Sequence, residues 1–205
     1  MIQLQMTSIE DNLYAKMCLE VMNHIYDNIY SVKDEDGKIN EQNYMMNFAY
    51  LLGCKLGDEG QLVGGEVEKV IHLFSDVQEV RKLRERLKRD GASVIVKPDL
   101  VIHTSHVRNN LDNEHQKLVI EAKTSKLLSK DAFCWDLLKL YAYKVELRFD
   151  IAIFLIVNQT EKNINKLLAK YENGKFFNDD NLEKIVFLIQ EDVNSRPLVY
   201  KLQRE

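Results

Sequence analysis

The sequence predicts an α/β domain in which helices cover a mixed β-sheet, and three patterns indicate this fold class. Apolar residues recur at helical spacing in several segments, and short apolar segments of strand length alternate with them. The segment DIAIFLIVN, residues 150–158, is apolar at nearly every position, as expected for a central strand that is covered on both faces. The helical segment before it is long enough to be the crossover between two parallel strands.

The first part of the chain is predicted to be helical. Apolar positions recur at helical spacing in residues 8–31, and residues 41–56 form a second helical segment after the polar loop SVKDEDGKIN. Several glycines then loosen the chain. We therefore divide the sequence into a helical N-terminal extension, residues 1–60, and an α/β domain, residues 61–205.

The α/β domain is predicted to follow the order helix, strand, strand, strand, helix, strand, with a further helix and strand after it. Gly91 ends the first of these helices. Pro98 is expected to bend the chain, because proline cannot donate a ladder hydrogen bond and is confined to strand starts, edges and bulges. The predicted elements are a helix over 66–90, strands over 93–97, 99–103 and 117–125, a helix over 129–148, a strand over 150–158, a helix over 160–173, a strand over 184–193 and a terminal segment over 198–203.

Composition favours a globular protein of the cytoplasm. The apolar share is 45% and the charged share is 29%, and no apolar run approaches the roughly 18 residues of a membrane span. The start of the chain, MIQLQMTSIED, does not resemble a secretory signal. We expect a cytoplasmic protein with no membrane partner. The three cysteines, Cys18, Cys54 and Cys134, are scattered and are predicted to be buried thiols rather than zinc ligands.

Charge is distributed unevenly along the chain, although the formal net charge is only −4. Residues 1–60 contain ten acids and four bases, whereas residues 81–97 contain seven bases and two acids. Residues 123–148 contain six bases and three acids. The basic segments are candidates for binding nucleic acid, and two solvated helix faces are the alternative. The acidic N-terminal helices would suit a basic protein partner.

The segment KLVIEAKTS, residues 117–125, places two charges on a predicted buried strand. Side chains alternate across a strand, so Glu121 and Lys123 lie on the same face, about 6.5–7 Å apart. Removing each charge from water costs several kcal/mol, so a buried ion pair by itself is weak evidence of stability. A chemical role for the pair is one explanation, and an ion pair on a solvent-facing edge strand is the other.

Asp99 is the acid that we expect to lie beside this pair. It follows Pro98 at the start of a predicted strand, and pairing of that strand with residues 117–125 would direct Asp99 and Glu121 into one site. Two carboxylates that meet at a sheet repel each other unless a cation lies between them. Oxygen ligands favour a hard cation such as magnesium or manganese.

These residues resemble a known motif. Pro98–Asp99, followed by Glu121, Ala122 and Lys123, is similar to the PD-(D/E)XK motif of the restriction-endonuclease-like superfamily. The resemblance covers residues 66–195 and implies an αβββαβ core, with a mixed sheet flanked by helices. It further implies a nuclease in which Asp99, Glu121 and the carbonyl of Ala122 bind Mg²⁺ or Mn²⁺. Lys123 would orient or activate the attacking water and offset the charge of the transition state.

Further site residues are predicted from the neighbouring helices. Members of this superfamily often add a glutamate from the helix before the PD strand, and Glu79 is our first candidate, with Glu66 as the alternative. The segment DLLKL at 136–140 resembles polar positions that these proteins place beside the site. Lys126 and Lys139 would contact phosphates and Tyr143 a sugar or base. The alternative for Asp136 and Lys139 is an ion pair on a solvated helix face.

Three functions are compatible with these patterns. The first is a metal-dependent nuclease acting on DNA, with RNA as the alternative, and pairing of two copies would allow both strands to be cut. The second is a catalytically silent relative that binds nucleic acid or a protein partner. The third is an unrelated α/β domain. Carboxylates of Asp99 and Glu121 that lie far apart or on opposite faces of the sheet would indicate this third function.

Overall fold

The computed structural model describes residues 2–9, 12–28, 33, 39–57, 61–64, 69–71, 81–83, 85, 95–104, 116–169, 180–192 and 195–204. Within them the helices whose bounds are described are α1 (Leu13–Asp27), α2 (Glu41–Leu56), α3 (Lys130–Val145) and α4 (Glu161–Ala169), with a 3₁₀ helix at Asp180–Lys184. Residues 81–83 and 85 are also helical. The strands are β1 (Ile2–Met6), β2 (Gln61–Gly64), β3 (Lys69–Val70), β4 (Ile95–Val96), β5 (Leu100–Thr104), β6 (Gln116–Lys123), β7 (Ile151–Val157), β8 (Ile185–Gln190) and β9 (Leu198–Arg204). The predicted α/β class is confirmed.

A mixed sheet organises the described residues. Seven strands lie in the order β1-β9-β8-β7-β6-β5-β2, and β3 and β4 pair in a separate two-stranded sheet. Strands β6, β7 and β8 are parallel to one another, while the remaining neighbours in the large sheet are antiparallel. Helix α3 connects β6 to β7, which confirms the predicted crossover. All seven residues of β7 are buried, as its apolar sequence predicts for a strand covered on both faces.

Each face of the sheet packs against its own helices. Helices α1 and α2 cover one face, where they bury the alternate residues Leu118, Ile120 and Ala122 of β6. Helix α3 covers the other face, and Val119 of β6 belongs to the core beneath it. Because β6 alternates between the two cores, Glu121 and Lys123 point from the face that α3 covers.

The bend predicted at Pro98 is present. β4 ends at Val96 and belongs to the small sheet, whereas β5 begins at Leu100 and pairs antiparallel with β6 in the large sheet. Asp99 lies at the joint, where its backbone N–H donates to the carbonyl of Ile120 at 3.1 Å. The predicted pairing of the strand after Pro98 with the EAK strand is thereby confirmed.

The N-terminal region is part of the same packing unit as the sheet. β1 pairs with β9 at the edge of the sheet, and the core beneath α1 and α2 contains residues from both sides of the boundary placed at residue 60. The sequence predicts a helical N-terminal extension up to residue 60, because several glycines follow α2. Apolar faces of α1 and α2 nevertheless need a surface to cover, and the sheet supplies it. The strand β1 itself was not predicted, since only three alternating apolar residues mark it.

Helix starts follow the capping rules. Asn12, Asn40 and Ser129 each precede a helix and accept a hydrogen bond from the backbone N–H three residues later.

Among the described helices, none is long and apolar enough to cross a lipid bilayer.

The cysteines differ in burial, and the expectation of three buried thiols is wrong for Cys54. Cys18 and Cys134 are buried, whereas Cys54 is exposed near the end of α2. Burial raises the pKa of Cys18 far above its usual value, which leaves the reactive thiolate scarce.

We therefore expect one fast-reacting thiol in the native protein. A colorimetric disulfide reagent should modify Cys54 within minutes and react with the other two cysteines only after denaturation. Cys54→Ser should remove the fast phase. Fast reaction of two or three thiols in the native protein would contradict the burial of Cys18 and Cys134.

Candidate active site

A cluster of charged side chains lies where β6 ends. Asp99 reaches it from the joint before β5, and its Oδ2 accepts a hydrogen bond from the backbone N–H of Ala122 at 2.7 Å. This bond fixes the Asp99 carboxylate beside the EAK segment. The antiparallel hairpin of β5 and β6 therefore brings the PD and EAK residues together, as the sequence predicts.

Glu121 lies deep in the cluster, with only 1% of its surface exposed. One carboxylate oxygen, Oε2, accepts from Lys139 Nζ at 2.5 Å, and the other, Oε1, accepts from the hydroxyl of Tyr143 at 3.1 Å. Both partners come from α3, one turn apart on the helix. Two donors on the same helix face thus hold both oxygens of the buried carboxylate.

Lys123 lies nearer to solvent and joins three elements. Its ammonium donates to the carbonyl of Ala122 at 2.8 Å and lies 3.1 Å from Asp136 Oδ2 on α3. It also lies 3.9 Å from Glu41 Oε1 at the start of α2. The other oxygen of Asp136 contacts Lys139 at 2.8 Å, so Asp136 bridges the two lysines.

Glu41 is a site residue that sequence reasoning missed. Its Oε2 accepts a hydrogen bond from the backbone N–H of Thr124 at 3.1 Å, which ties the first turn of α2 to the end of β6. More than 80 residues separate the two in the chain, and the sequence around Glu41 reads only as an ordinary helix start after Asn40. No local signal pointed to it.

The environment shifts the pKa of Glu121, Asp99 and Lys123. Burial raises the pKa of Glu121, Lys139 lowers it, and the charges of Asp136 and Asp99 raise it again, so that it reaches about 8. The pKa of Asp99 is also raised, because burial outweighs the hydrogen bond from Ala122 and the nearby lysines. Burial lowers the pKa of Lys123, but the charges of Asp136, Glu41 and Asp99 raise it by more. The net pKa of Lys123 is therefore raised, and Lys123 stays protonated at neutral pH.

The raised pKa of Glu121 predicts how the stability of the metal-free protein depends on pH. The folded state holds a proton on Glu121 that the unfolded state releases above the ordinary value of 4.5. The contribution of Glu121 to stability is therefore fully present below pH 4.5 and is lost as pH rises toward about 8. Urea unfolding in chelator across this range should show Glu121→Gln losing less stability with rising pH than the wild type. Parallel curves for the two proteins would contradict the shift.

Two of the residues predicted to contact nucleic acid are buried. The Lys139 side chain is 6% exposed, and Tyr143 is buried completely. Asp136, Lys139 and Tyr143 do share one side of α3, but that side faces the sheet rather than solvent. Contact of Lys139 and Tyr143 with nucleic acid stays a prediction, and their burial gives both an observed role in holding Glu121.

The remaining predicted residues fall into three groups. Lys126 is exposed in the loop after β6. Trp135 is buried in the core, and His103 is buried beside Phe149 with 5.9 Å between the two ring centroids. The candidates for an additional glutamate, Glu79 and its alternative Glu66, lie outside the described residues.

The loop between β6 and α3 is held by two amide side chains from the end of β7. Asn158 donates to the carbonyl of Thr124 at 2.8 Å, and Gln159 donates to the carbonyls of Ser125 and Lys126 at 3.0 and 2.8 Å. Asn158 adopts φ 64°, a left-handed conformation that asparagine tolerates better than most residues. These three hydrogen bonds fix the backbone of the loop directly after Lys123.

Comparisons with protein-family models, with curated proteins and with solved structures found no match for this chain. Within the described ranges, no three histidine, cysteine, aspartate or glutamate side chains are grouped closely enough to hold a metal ion by themselves. A role for the cluster therefore rests on its own geometry and charge.

Proposed function

We propose that the protein is a metal-dependent nuclease that hydrolyses phosphodiester bonds in DNA, with Asp99, Glu121 and Lys123 at its active site. The single observation that supports this best is the hydrogen bond from Ala122 N–H to Asp99, which holds the PD carboxylate against the EAK segment. The order of the hairpin β5–β6, helix α3 and parallel strand β7 is compatible with the PD-(D/E)XK assignment. That assignment is part of the proposal.

The donor set suits a hard divalent cation. Two carboxylates and the carbonyl of Ala122 supply oxygen ligands, and Mg²⁺ is typically held by only one or two carboxylates together with water and substrate phosphate. Each carboxylate oxygen has a second lone pair, so the hydrogen bonds from Lys139 and Tyr143 leave capacity for a metal. Asp99, Glu121 and the Ala122 carbonyl would hold Mg²⁺ or Mn²⁺.

The charges of the cluster also leave room for a cation. Four carboxylates, those of Glu41, Asp99, Glu121 and Asp136, surround two ammonium groups. Fully ionised, the cluster would have a net charge of −2, which a divalent ion would balance. Without one, protonation of Glu121 relieves part of the excess.

The residues of the chain have separate tasks in this reaction. A bound metal ion would polarise a phosphoryl oxygen and lower the pKa of the attacking water. Lys123 keeps its proton, so it acts as a fixed cation that faces the negative charge of the transition state rather than as the proton acceptor. Asp136 and Glu41 position the Lys123 ammonium, and Lys139 with Tyr143 fixes the orientation of Glu121.

A binding protein without catalytic activity is the second candidate, and one observation favours it. Lys139 already lies 2.5 Å from Glu121 and supplies a positive charge beside it, which lowers the need for a metal. Titration calorimetry with Mn²⁺ separates the two candidates. Binding by the wild type that is lost in Asp99→Ala and Glu121→Gln supports the nuclease, and absence of heat in the wild type supports the silent relative.

The decisive experiment is cleavage of labelled single-stranded and double-stranded DNA and RNA in Mg²⁺, in Mn²⁺ and in chelator. We expect metal-dependent cleavage of DNA by the wild type and none by Asp99→Ala. Equal cleavage by both proteins would identify a contaminating nuclease, and no cleavage of any substrate would reject the proposed activity.

A further inference from the structure

Leu127 lies in the loop between β6 and α3 and exposes its apolar side chain to solvent. It is 90% exposed, the largest fraction among the exposed large hydrophobic side chains that the structure describes. The adjacent Leu128 packs against the core beneath α3. The loop therefore anchors one leucine in the protein and presents the other to solvent.

The backbone around Leu127 is fixed rather than loosely attached. Gln159 and Asn158 bind three consecutive carbonyls, at residues 124 to 126. The hydroxyl of Ser125 accepts from the N–H of Leu127 at 3.1 Å and donates to its carbonyl at 3.3 Å. Because these bonds order the loop in advance, little conformational entropy remains to be lost when Leu127 contacts a ligand.

The charges around Leu127 indicate what kind of ligand fits. Lys126 and Lys130 are exposed on either side of it, and no acidic residue lies between them in the chain. The two lysines can contact phosphate oxygens. The apolar side chain of Leu127 between them offers no hydrogen bond to a phosphate, so it suits contact with bases. Leucine is one of the apolar side chains that minor-groove-binding proteins insert as wedges between base steps.

Leu127 also lies close to the candidate active site. It follows Lys123 by four positions in the chain. An extended chain spans at most about 3.6 Å per residue, so the Cα atoms of Leu127 and Lys123 are within about 14 Å. Adjacent nucleotides in a DNA strand are about 3.4 Å apart along the helix axis. Leu127 can therefore reach a base within about four nucleotides of a phosphodiester held at Lys123.

We propose that the loop 124–129 is a substrate wedge, in which Leu127 inserts between adjacent bases of DNA near the scissile phosphodiester while Lys126 and Lys130 contact the flanking phosphates. This inference rests on the proposed nuclease function and narrows its substrate to DNA whose bases unstack beside the cut. Duplexes with a mismatch, a junction or an unpaired end unstack at the lowest cost, and they are the preferred substrates.

The test uses a short DNA duplex that contains 2-aminopurine at regular intervals, because this base fluoresces more strongly when it is unstacked. With Ca²⁺ in place of Mg²⁺ to prevent cleavage, the wild type should raise the fluorescence on binding. Leu127→Ala should bind, as measured by anisotropy, without the rise. Leu13→Ala is the matched control, since Leu13 is 56% exposed on α1 and lies outside the loop.

Cleavage supplies a second measurement. Leu127→Ala should cut a fully paired duplex about tenfold more slowly than the wild type and should cut a mismatched duplex at the wild-type rate. Lys126→Ala should lower the slope of log affinity against log salt by about 1 on both substrates. Equal losses on the two duplexes, or no loss on either, would overturn the wedge.

The outcomes separate the wedge from the nuclease activity. Asp99→Ala should keep the fluorescence rise while losing cleavage. A wild type that raises the fluorescence through Leu127 but cuts no substrate would reject the nuclease and retain the wedge as a DNA-binding element. Absence of the rise in the wild type, or an equal rise in Leu127→Ala, rejects the wedge. So does sedimentation showing that Leu127→Ala changes only self-association.

Discussion

Replacement of Lys123 by methionine is expected to slow DNA cleavage by about 10³-fold while the protein stays folded. The ammonium of Lys123 lies between Asp136, Glu41 and the Ala122 carbonyl, so its position is fixed before any substrate arrives. A cation held in place costs no reorganisation when negative charge develops on the phosphoryl group. Methionine keeps most of the side-chain volume and removes only the charge and the donors.

Lys117→Met is the matched control for this experiment. Lys117 lies on the same strand, its side chain is 25% exposed against 21% for Lys123, and it pairs with Asp150 at 3.0 Å. Lys117→Met should leave the cleavage rate within about twofold of the wild type, because partly exposed ion pairs contribute little to stability. Single-turnover rates at saturating Mg²⁺ measure the effect. A similar rate loss in both variants would mean that Lys123 acts only through general electrostatics.

Lys139→Met should destabilise the metal-free protein by about 3–5 kcal/mol. The variant removes the ammonium that contacts both Glu121 and Asp136 and leaves two buried carboxylates short of a partner. Breaking one side of a buried ion pair is costly because the remaining charge cannot return to water. Urea unfolding at pH 9 in chelator measures the loss, because Glu121 is ionised above its raised pKa of about 8.

A double variant distinguishes lost charge from lost packing. Adding Glu121→Gln to Lys139→Met removes one stranded carboxylate and should restore part of the stability, whereas a purely steric defect would be unaffected. The exposed pair of Lys55 and Glu20, at 2.9 Å, is the reference. Lys55→Met should cost only about 0–1 kcal/mol. If Lys139→Met costs no more than Lys55→Met, the cluster is not as dry as its geometry indicates.

The hairpin that joins Asp99 to the EAK segment could be predicted because its signals are local. Pro98 restricts where a strand can begin, and the alternation in residues 117–125 fixes which side chains share a face. The same logic located α3 and β7 within a few residues of their observed bounds. Short-range sterics and the period of the strand are sufficient for these features.

The surroundings of Glu121 could not be predicted to the same extent. Every residue of α3 from Phe133 to Tyr143 is buried, so the helix has no polar stripe to mark which side faces solvent. Lys139 and Tyr143 therefore resembled surface contacts for nucleic acid. Glu41 joins the site through a tertiary contact with Thr124, and the glycines after α2 suggested a boundary where packing is continuous.

The pairing of β1 with β9 has a consequence for how the chain acquires its structure. Residues 2–6 meet residues 198–204, so the sheet edge is completed by strands from nearly opposite ends of the sequence. During synthesis, β1 must remain without its neighbour until β9 has left the ribosome. Contacts between segments so distant in sequence slow the search for the native state, so this edge should be the last part of the sheet to form.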